Sequence, residues 1–327
     1  MSSVVVDARA LGKRYGEVVA LDRLDLEVRA GEVLGLLGPN GAGKTTTIKV
    51  LTTLERADSG AATIFDLDVA TRPDAVRARI GYVPQELAAD RYLTARESLT
   101  FFCRLYRVAK DKQAARVDQL IELLGLEEAA DRQLRTFSGG MKKKLDLACG
   151  LVHEPGLLFL DEPSLGLDVA VRRALWDHVE GLKRRGVTVI LATNYMDEAD
   201  RLCDRIAVID RGKVAALGTP TELRAGLGGD VVTLEISDAA ARAKADGVLA
   251  ELDEVGATYA EGPRLHLTVS ANETALPKLL AACRDAGVAV DGASYHRPGL
   301  EEVFVHHTGR RFVDAHGQSG APPRRRR

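Results

Sequence analysis

The sequence predicts an α/β fold: a mainly parallel β-sheet covered by helices, antiparallel strands ahead of it, and a small α+β domain behind. Three observations carry this expectation. Apolar strand-like segments alternate with helical stretches through the first two thirds of the chain. A glycine-rich turn joins an apolar strand to a helix at residues 38–45. Glycines cluster at residues 218–230, where the first pattern stops. The length, 327 residues, leaves room for two modest domains, and 46% hydrophobic with 28% charged residues is a globular composition.

Taken in order, SVVVDARALGKRY and LDRLDLEVRAGEV read as antiparallel strands with turn chemistry between them. The strand 33–37 runs into GPNGAGKTTTIKVLTTL, where glycines give way to a helix. Further buried strands are expected at 80–84, 157–160, 187–193 and 205–210, with helices at 94–108, 112–125, 139–152, 168–184 and 196–202 between them. The glycine cluster sets the domain boundary, giving a first domain over 1–228. Beyond it come strand VVTLEI, a helix at 238–253, strand LHLTVS, a helix at 273–286, strand VAVDGASY and a short helix from Leu300. This βαββαβ-like order makes a small α+β domain over 229–309. Residues 310–327, ending GQSGAPPRRRR, have almost nothing to bury and read as a disordered tail.

Charge and cysteine usage narrow the class. The 45 basic and 47 acidic residues leave a net charge of −2, and the last 19 residues hold six of the arginines, so residues 1–308 carry 39 basic against 46 acidic groups. Such a chain is not a general nucleic-acid binder. No apolar run reaches the roughly 18 residues of a bilayer-spanning helix, and MSSVVVDARA lacks the pattern of a secretory signal. Cys103, Cys149, Cys203 and Cys283 are widely spaced in apolar or helical stretches and read as reduced core residues.

The chemistry begins at Gly38, Pro39, Asn40, Gly41, Ala42, Gly43, Lys44 and Thr45, followed by Thr46. This run matches G-x-x-x-x-G-K-[ST] in the strand-to-helix context that the motif requires. The glycines let backbone N–H groups wrap phosphate oxygens, Lys44 reaches the β- and γ-phosphates, and Thr45 offers its hydroxyl to Mg²⁺. The strand 157–160 delivers Asp161, suited to hold Mg²⁺, and Glu162, suited to polarise an attacking water. These two motifs specify a nucleoside triphosphatase. Phe137, Ser138, Gly139, Gly140 and Met141 discriminate further: Ser138 caps a helix, and two glycines permit close approach to an anion about twenty residues ahead of the acidic strand.

With that combination the chain resembles the nucleotide-binding subunit of an ATP-binding cassette (ABC) transporter, in the order Walker A, Gln loop, signature, Walker B and D-loop. The resemblance implies a P-loop NTPase fold with a helical signature subdomain, and ATP with Mg²⁺ at the site. It assigns Tyr15 to the adenine, with a core contact at the strand end as the alternative. It makes Gln85, in GYVPQ, the glutamine that senses Mg²⁺ and links the site to the membrane subunit, and Asp168 the D-loop aspartate. It also implies a head-to-tail dimer with a second copy or paralogue, in which Ser138 and Gly140 of one chain complete the Lys44 site of the other.

The run RPGLEEVFVHHTGRR resembles the close of daunorubicin and doxorubicin resistance-type exporters, whose ATPase subunits pair with a separate ABC-2 type permease. That implies a peripheral place on the cytoplasmic side of a bacterial membrane and export of a drug-like or other amphiphilic substrate. The segment 86–106 corresponds to the family's permease groove, while Leu99, Phe101, Phe102 and Leu105 serve as well in the helical core. His306 and His307 are adjacent, so they do not share a helical face, and read as surface or packing residues.

The sequence departs from the family in two places. EPSLGLDV stands for the usual EPTSGLDP, so Ser164, Leu165 and Val169 replace Thr, Ser and Pro. Asn194 stands where the family carries its switch histidine, which predicts slower or differently regulated hydrolysis because an amide cannot become an imidazolium. Two other functions remain beside the transporter subunit: a regulatory ATP-binding module with very slow hydrolysis, and an ATP-driven switch acting on ribosomes or nucleic acid. The second lacks the tandem cassettes or coiled-coil arms of such proteins.

Overall fold

The computed structural model describes residues 3–85, 89–270 and 275–309, with only the backbone of Glu261. The tail expected over 310–327 and residues 86–88 of the groove segment lie outside the described residues. The chain divides into two compact units between Thr219 and Pro220.

The first unit opens with β1 (Val4–Tyr15) and β2 (Val18–Arg29), and β3 (Val33–Leu37) runs into α1 (Lys44–Leu51). Then come β4 (Ser59–Ile64), β5 (Leu67–Asp68), α2 (Pro73–Arg77) and β6 (Ile80–Val83). A helical block follows: α3 (Ala95–Leu105), α4 (Lys110–Leu123) and α5 (Gly139–Leu151). The unit closes with β7 (Leu157–Asp161), α6 (Val169–Arg184), β8 (Thr188–Thr193), α7 (Met196–Leu202), β9 (Arg205–Asp210) and β10 (Lys213–Gly218).

Two sheets result. The antiparallel one runs β2-β1-β4-β5, and the other β10-β9-β3-β8-β7-β6, parallel from β9 to β6 with β10 antiparallel on the edge. Every residue of β3, β7 and β8 is buried, which explains their unbroken apolar runs. One core joins the sheets: Leu11, Leu24 and Ile64 from the antiparallel sheet, Ile48 and Leu51 from α1, and Leu36, Phe159 and Ile190 from the parallel sheet. The helices start where local chemistry dictates. Thr94 and Glu97 form a capping box on α3, while Ser138 and Asp168 cap α5 and α6.

The second unit holds α8 (Pro220–Ala225), β11 (Asp230–Glu235), α9 (Ala239–Leu249), β12 (Val255–Glu261), β13 (Arg264–Val269), α10 (Ala275–Asp285), β14 (Gly292–His296) and α11 (Leu300–Thr308). Its antiparallel sheet runs β12-β13-β11-β14. Val232, Leu234, Leu265, Leu267, Leu249 and Leu279 form its core with the two longer helices. Helix α8 packs on α11 within this unit, so the compact unit begins at Pro220, ahead of the boundary expected after residue 228. The strands that sequence patterning did not single out, β4, β5, β10 and β12, lie at sheet edges or are rich in small residues. Among the described residues the four cysteines are buried free thiols, and burial pushes each thiol pKa up.

Candidate active site

Four adjacent parallel strands end on the same edge of the sheet, and each delivers chemical groups there. β3 leads into the glycine turn and Lys44, β8 into Asn194, β7 into Asp161 and Glu162, and β6 into Gln85. Leu37 pairs with Thr193, and Asp161 with Ala192, so these ends are level. The C-terminal edge of a parallel sheet is the usual place for a ligand in such folds. A cavity of about 400 Å³ opens there, lined by Tyr15, Asn40, Lys44, Thr45, Gln85 and Glu162 among others.

The glycine turn wraps because its backbone is allowed to. Gly43 has φ 114°, and a Cβ there would meet the Ala20 carbonyl oxygen at 2.8 Å, so both conformation and space require glycine. Lys44 is buried at 4% exposure and folds back over the turn, donating to the Gly38 carbonyl at 2.6 Å and the Pro39 carbonyl at 3.1 Å. Its Nζ also lies 3.4 Å from Glu162 Oε1, an ion pair whose side chains are almost wholly out of solvent. A cation so placed is pre-positioned for phosphate oxygens entering the turn. Thr46 lines the same cavity.

The Thr45 hydroxyl donates to Asp161 Oδ1 at 3.0 Å. These are hard oxygen donors of the kind Mg²⁺ takes, and Asp161 is buried at 1% exposure. Burial pushes the Asp161 carboxyl pKa up, with Glu162 acting in the same sense and the Thr45 hydroxyl partly offsetting it. A carboxylate so desolvated gains most from a cation, and the donor set fits the ion. Beside it, burial and then the Asp161 charge push the Tyr82 phenol up to about 12, so the phenol stays protonated.

Glu162 adopts φ 48°, a left-handed conformation unfavourable for a side chain with a Cβ. Strain of this kind persists where the surroundings over-determine it: the Glu162 N–H donates to the Ala192 carbonyl at 2.9 Å. The turn aims the carboxylate into the cavity, where Gln85 Nε2 stands 3.4 Å from Oε2. Tyr15 is 44% exposed at the end of β1 and pairs across the hairpin with Val18, which is 65% exposed. Together they make a solvent-facing apolar ledge on the cavity rim, and the Lys13 ammonium lies 5.4 Å from the Tyr15 ring centre.

The signature residues do not hydrogen-bond to this cavity. Ser138 and Gly139 are exposed at the start of α5, with the Ser138 hydroxyl accepting from the Met141 N–H at 3.3 Å. Gly140 has a reason within the chain, since a Cβ there would meet Val171 Cγ1 of α6 at 2.4 Å. Asp168 is exposed and accepts from the Val171 N–H at 2.9 Å, and Val169, at the usual proline position, is the first helical residue behind this cap. Asn194 is 3% exposed, and its Oδ1 finds no hydrogen-bond partner among the described residues.

Sequence reading missed two contributors. Val18 shares the ledge with Tyr15 and follows a two-residue turn, a position whose apolarity gave no signal by itself. Lys143, the fifth residue of α5, donates to the Gln85 carbonyl at 2.5 Å and the Pro84 carbonyl at 3.4 Å, tying the signature helix to the segment that carries Gln85. It lies within KKK, which reads as an ordinary solvated charge run. His306 and His307 are exposed and meet edge to face at 5.1 Å, and the described residues hold no metal-binding cluster. No helix among them is long and apolar enough to cross a membrane.

The family model described as ABC transporter matches residues 21–165. A second, described as ATP-binding protein DrrA1-3-like, C-terminal domain, matches residues 218–308. The chain is similar to a daunorubicin resistance ATP-binding protein of Streptomyces coeruleorubidus, 42% identical over 323 residues, which is 98% of this chain and 100% of that one. It is 38% identical over 317 residues to the Nod factor export ATP-binding protein I of Burkholderia orbicola (strain AU 1054), or 96% of this chain and 100% of that one. A solved structure of the ATP-binding subunit of an ABC transporter superposes with a TM-score of 0.63 at 31% identity, over 68% of this chain and 93% of that one.

Proposed function

This chain belongs to the ABC transporter family as an ATP-binding subunit with ATPase activity, and we propose that it energises a separate ABC-2 type permease for export of an amphiphilic, drug-like substrate. The observation that carries the site reading is the convergence of Lys44, Glu162 and Gln85 from neighbouring strand ends on one cavity, with Asp161 bonded to Thr45 of its lining. In this reading Tyr15 and Val18 receive the adenine face, while the turn 38–46 and Lys44 hold the β- and γ-phosphates. Thr45 and Asp161 hold Mg²⁺, and Gln85 borders that position. When bound, the ion neutralises charge on the phosphate oxygens. Glu162 accepts the proton of the attacking water; phosphate entry draws Lys44 away from it, freeing the carboxylate for that task.

Two surface features support partners. Ser138 and Gly139 are exposed and form no bond to their own phosphate turn, which suits completion of a second copy's site. On α3, Phe101 and Leu105 are 55% and 60% exposed, whereas Leu99 is fully buried, so the helix serves its own core with one face and leaves the other for a membrane subunit. The close likeness to a drug-resistance subunit favours an amphiphilic cargo, and the likeness to a Nod factor export subunit supports export as the direction.

The experiment is purification of tagged Glu162→Gln from detergent-solubilised native membranes, with Mg-ATP or Mg-ADP. Without a base at residue 162, ATP should stay bound, and light scattering should show two cassettes together with a polytopic membrane protein of the ABC-2 class only with Mg-ATP. A monomer under both conditions overturns the shared-site reading. Nucleotide-dependent cosedimentation with ribosomes, without a membrane protein, overturns the transporter reading.

A further inference from the structure

Helix α7 carries a carboxylate that the phosphate chemistry does not use. Glu198 is fully buried, at 0% exposure, although it stands in the first turn of a seven-residue helix. Burying an ionisable group is unfavourable relative to an apolar filler of like volume, so it needs polar partners around it. Oε1 accepts a hydrogen bond from the Trp176 indole Nε1 at 2.8 Å. Burial pushes the Glu198 pKa up, and the hydroxyls of Thr193 and Ser164, then the indole, act against it.

Three segments therefore meet at one side chain. Thr193 ends β8 immediately before Asn194. Ser164 lies two residues beyond Glu162 in the loop that continues to Asp168. Trp176 belongs to α6, the helix that Asp168 caps. The hydroxyls of Thr193 and Ser164 face the same carboxylate, while Asn194 Oδ1 is buried without a hydrogen-bond partner among the described residues. A buried acceptor shared by three segments holds them in one arrangement. Other ties keep α6 and α7 together regardless. The Arg172 guanidinium lies 4.2 Å from the Tyr195 ring centre and 3.5 Å from Asp197 Oδ2.

We propose that Glu198 is a positioning residue for ATP hydrolysis, fixing through Trp176 the placement of the Asn194 segment relative to the loop that carries Glu162 and Asp168. It touches no substrate and acts through those residues, so the inference rests on their assignment to the phosphate site. Trp176 is the only tryptophan in the chain, so its emission reports this junction without a label.

The test uses the full chain as wild type, Glu198→Gln, Glu198→Leu, Trp176→Phe, the Glu198→Leu/Trp176→Phe double variant, and Glu162→Gln. Glutamine keeps an oxygen acceptor for the indole, so Glu198→Gln should retain most of the wild-type kcat. Glu198→Leu keeps the volume and loses the acceptor, and its kcat should fall about tenfold with the KM for ATP little changed. Trp176→Phe should lower kcat in the same sense, and the double variant should be no worse than the poorer single one. Addition of Mg-ATP should change Trp176 emission in the wild type and not in Glu198→Leu. Wild-type kcat in folded Glu198→Leu overturns the proposal, as does a parallel loss of kcat and ATP affinity. If Glu198→Leu does not fold, wild-type kcat in Trp176→Phe overturns it. Wild-type turnover in Glu162→Gln means instead that the site assignment itself has failed.

Discussion

The two units bury polar groups in different ways. In the first unit Glu32, Lys44, Asp146, Asp161, Glu162 and Glu198 are charged side chains below one tenth exposure, and Lys44, Asp161 and Glu162 stand beside the strand ends that build the cavity. In the second unit the buried polar side chains among the described residues are Thr233, His266 and Thr268, none of them a carboxylate or an ammonium. Local partners hold them: Thr233 Oγ1 lies 2.9 Å from His266 Nδ1, Tyr259 stacks on the His266 ring at 4.6 Å, and Thr268 Oγ1 bonds both the N–H and the carbonyl of Ala257. The first arrangement keeps charge out of water where a polyanion is to arrive; the second makes hydrogen bonds inside a sheet. Buried charge gathered at strand ends marks chemistry here, and buried neutral groups bonded within a sheet mark structure.

The largest effect that tests this contrast is expected from Lys44→Ala. It leaves Glu162 buried without its cation and empties the phosphate position, so hydrolysis should fall to background. ATP affinity should weaken about 100-fold, or roughly 3 kcal/mol. Calorimetry with Mg-ATP and a steady-state phosphate assay check both; wild-type affinity would break the division between the units. In the second unit the matching cut is Phe304→Ala. Phe304 is fully buried in α11, and its loss should lower unfolding free energy by about 3–5 kcal/mol, measured by urea denaturation with a probe in that unit, while Mg-ATP affinity holds. A comparable loss of affinity would show that the second unit shares in the chemistry.

The smallest effect sharpens the comparison inside the first unit. Asn194→His restores an imidazole at the end of β8 and should raise turnover by about tenfold, which needs about 1.4 kcal/mol of added transition-state stabilisation, with ATP affinity much less changed. The same rates in wild type, Asn194→His and Asn194→Ala would remove residue 194 from the chemistry. A fall in the histidine variant would show a site adapted to the amide that buries Oδ1 unpaired.

Much of the site was legible because its pieces are contiguous. The run 38–46, the pair Asp161 and Glu162 and the capped start of α5 each concentrate their chemistry within a few residues, and backbone geometry does the rest. The buried strands β3, β7 and β8 were legible for the same reason, as unbroken apolar runs. Strand β4, with the sequence SGAATI, carried little such signal, since it becomes a strand by pairing with β1 far away in the chain. Lys143 and Val18 were hidden likewise: a lysine among lysines and a valine after a turn gain meaning from what lies across the fold.

By itself, then, the sequence determined the phosphate turn, the acidic strand end, the cap that starts α5, and the order of the buried parallel strands and the helices between them. Those depend on steric and hydrogen-bonding rules acting over a few residues. The tertiary structure alone decided the lateral order β9-β3-β8-β7-β6, which brings Lys44 within 3.4 Å of Glu162 across 118 residues of chain. It alone decided the meeting of Trp176 with Glu198, and of Lys143 with the Gln85 carbonyl. The physical reason is that such contacts are set by which sheet neighbours bury the most apolar surface together, a sum over the whole core that no local window contains.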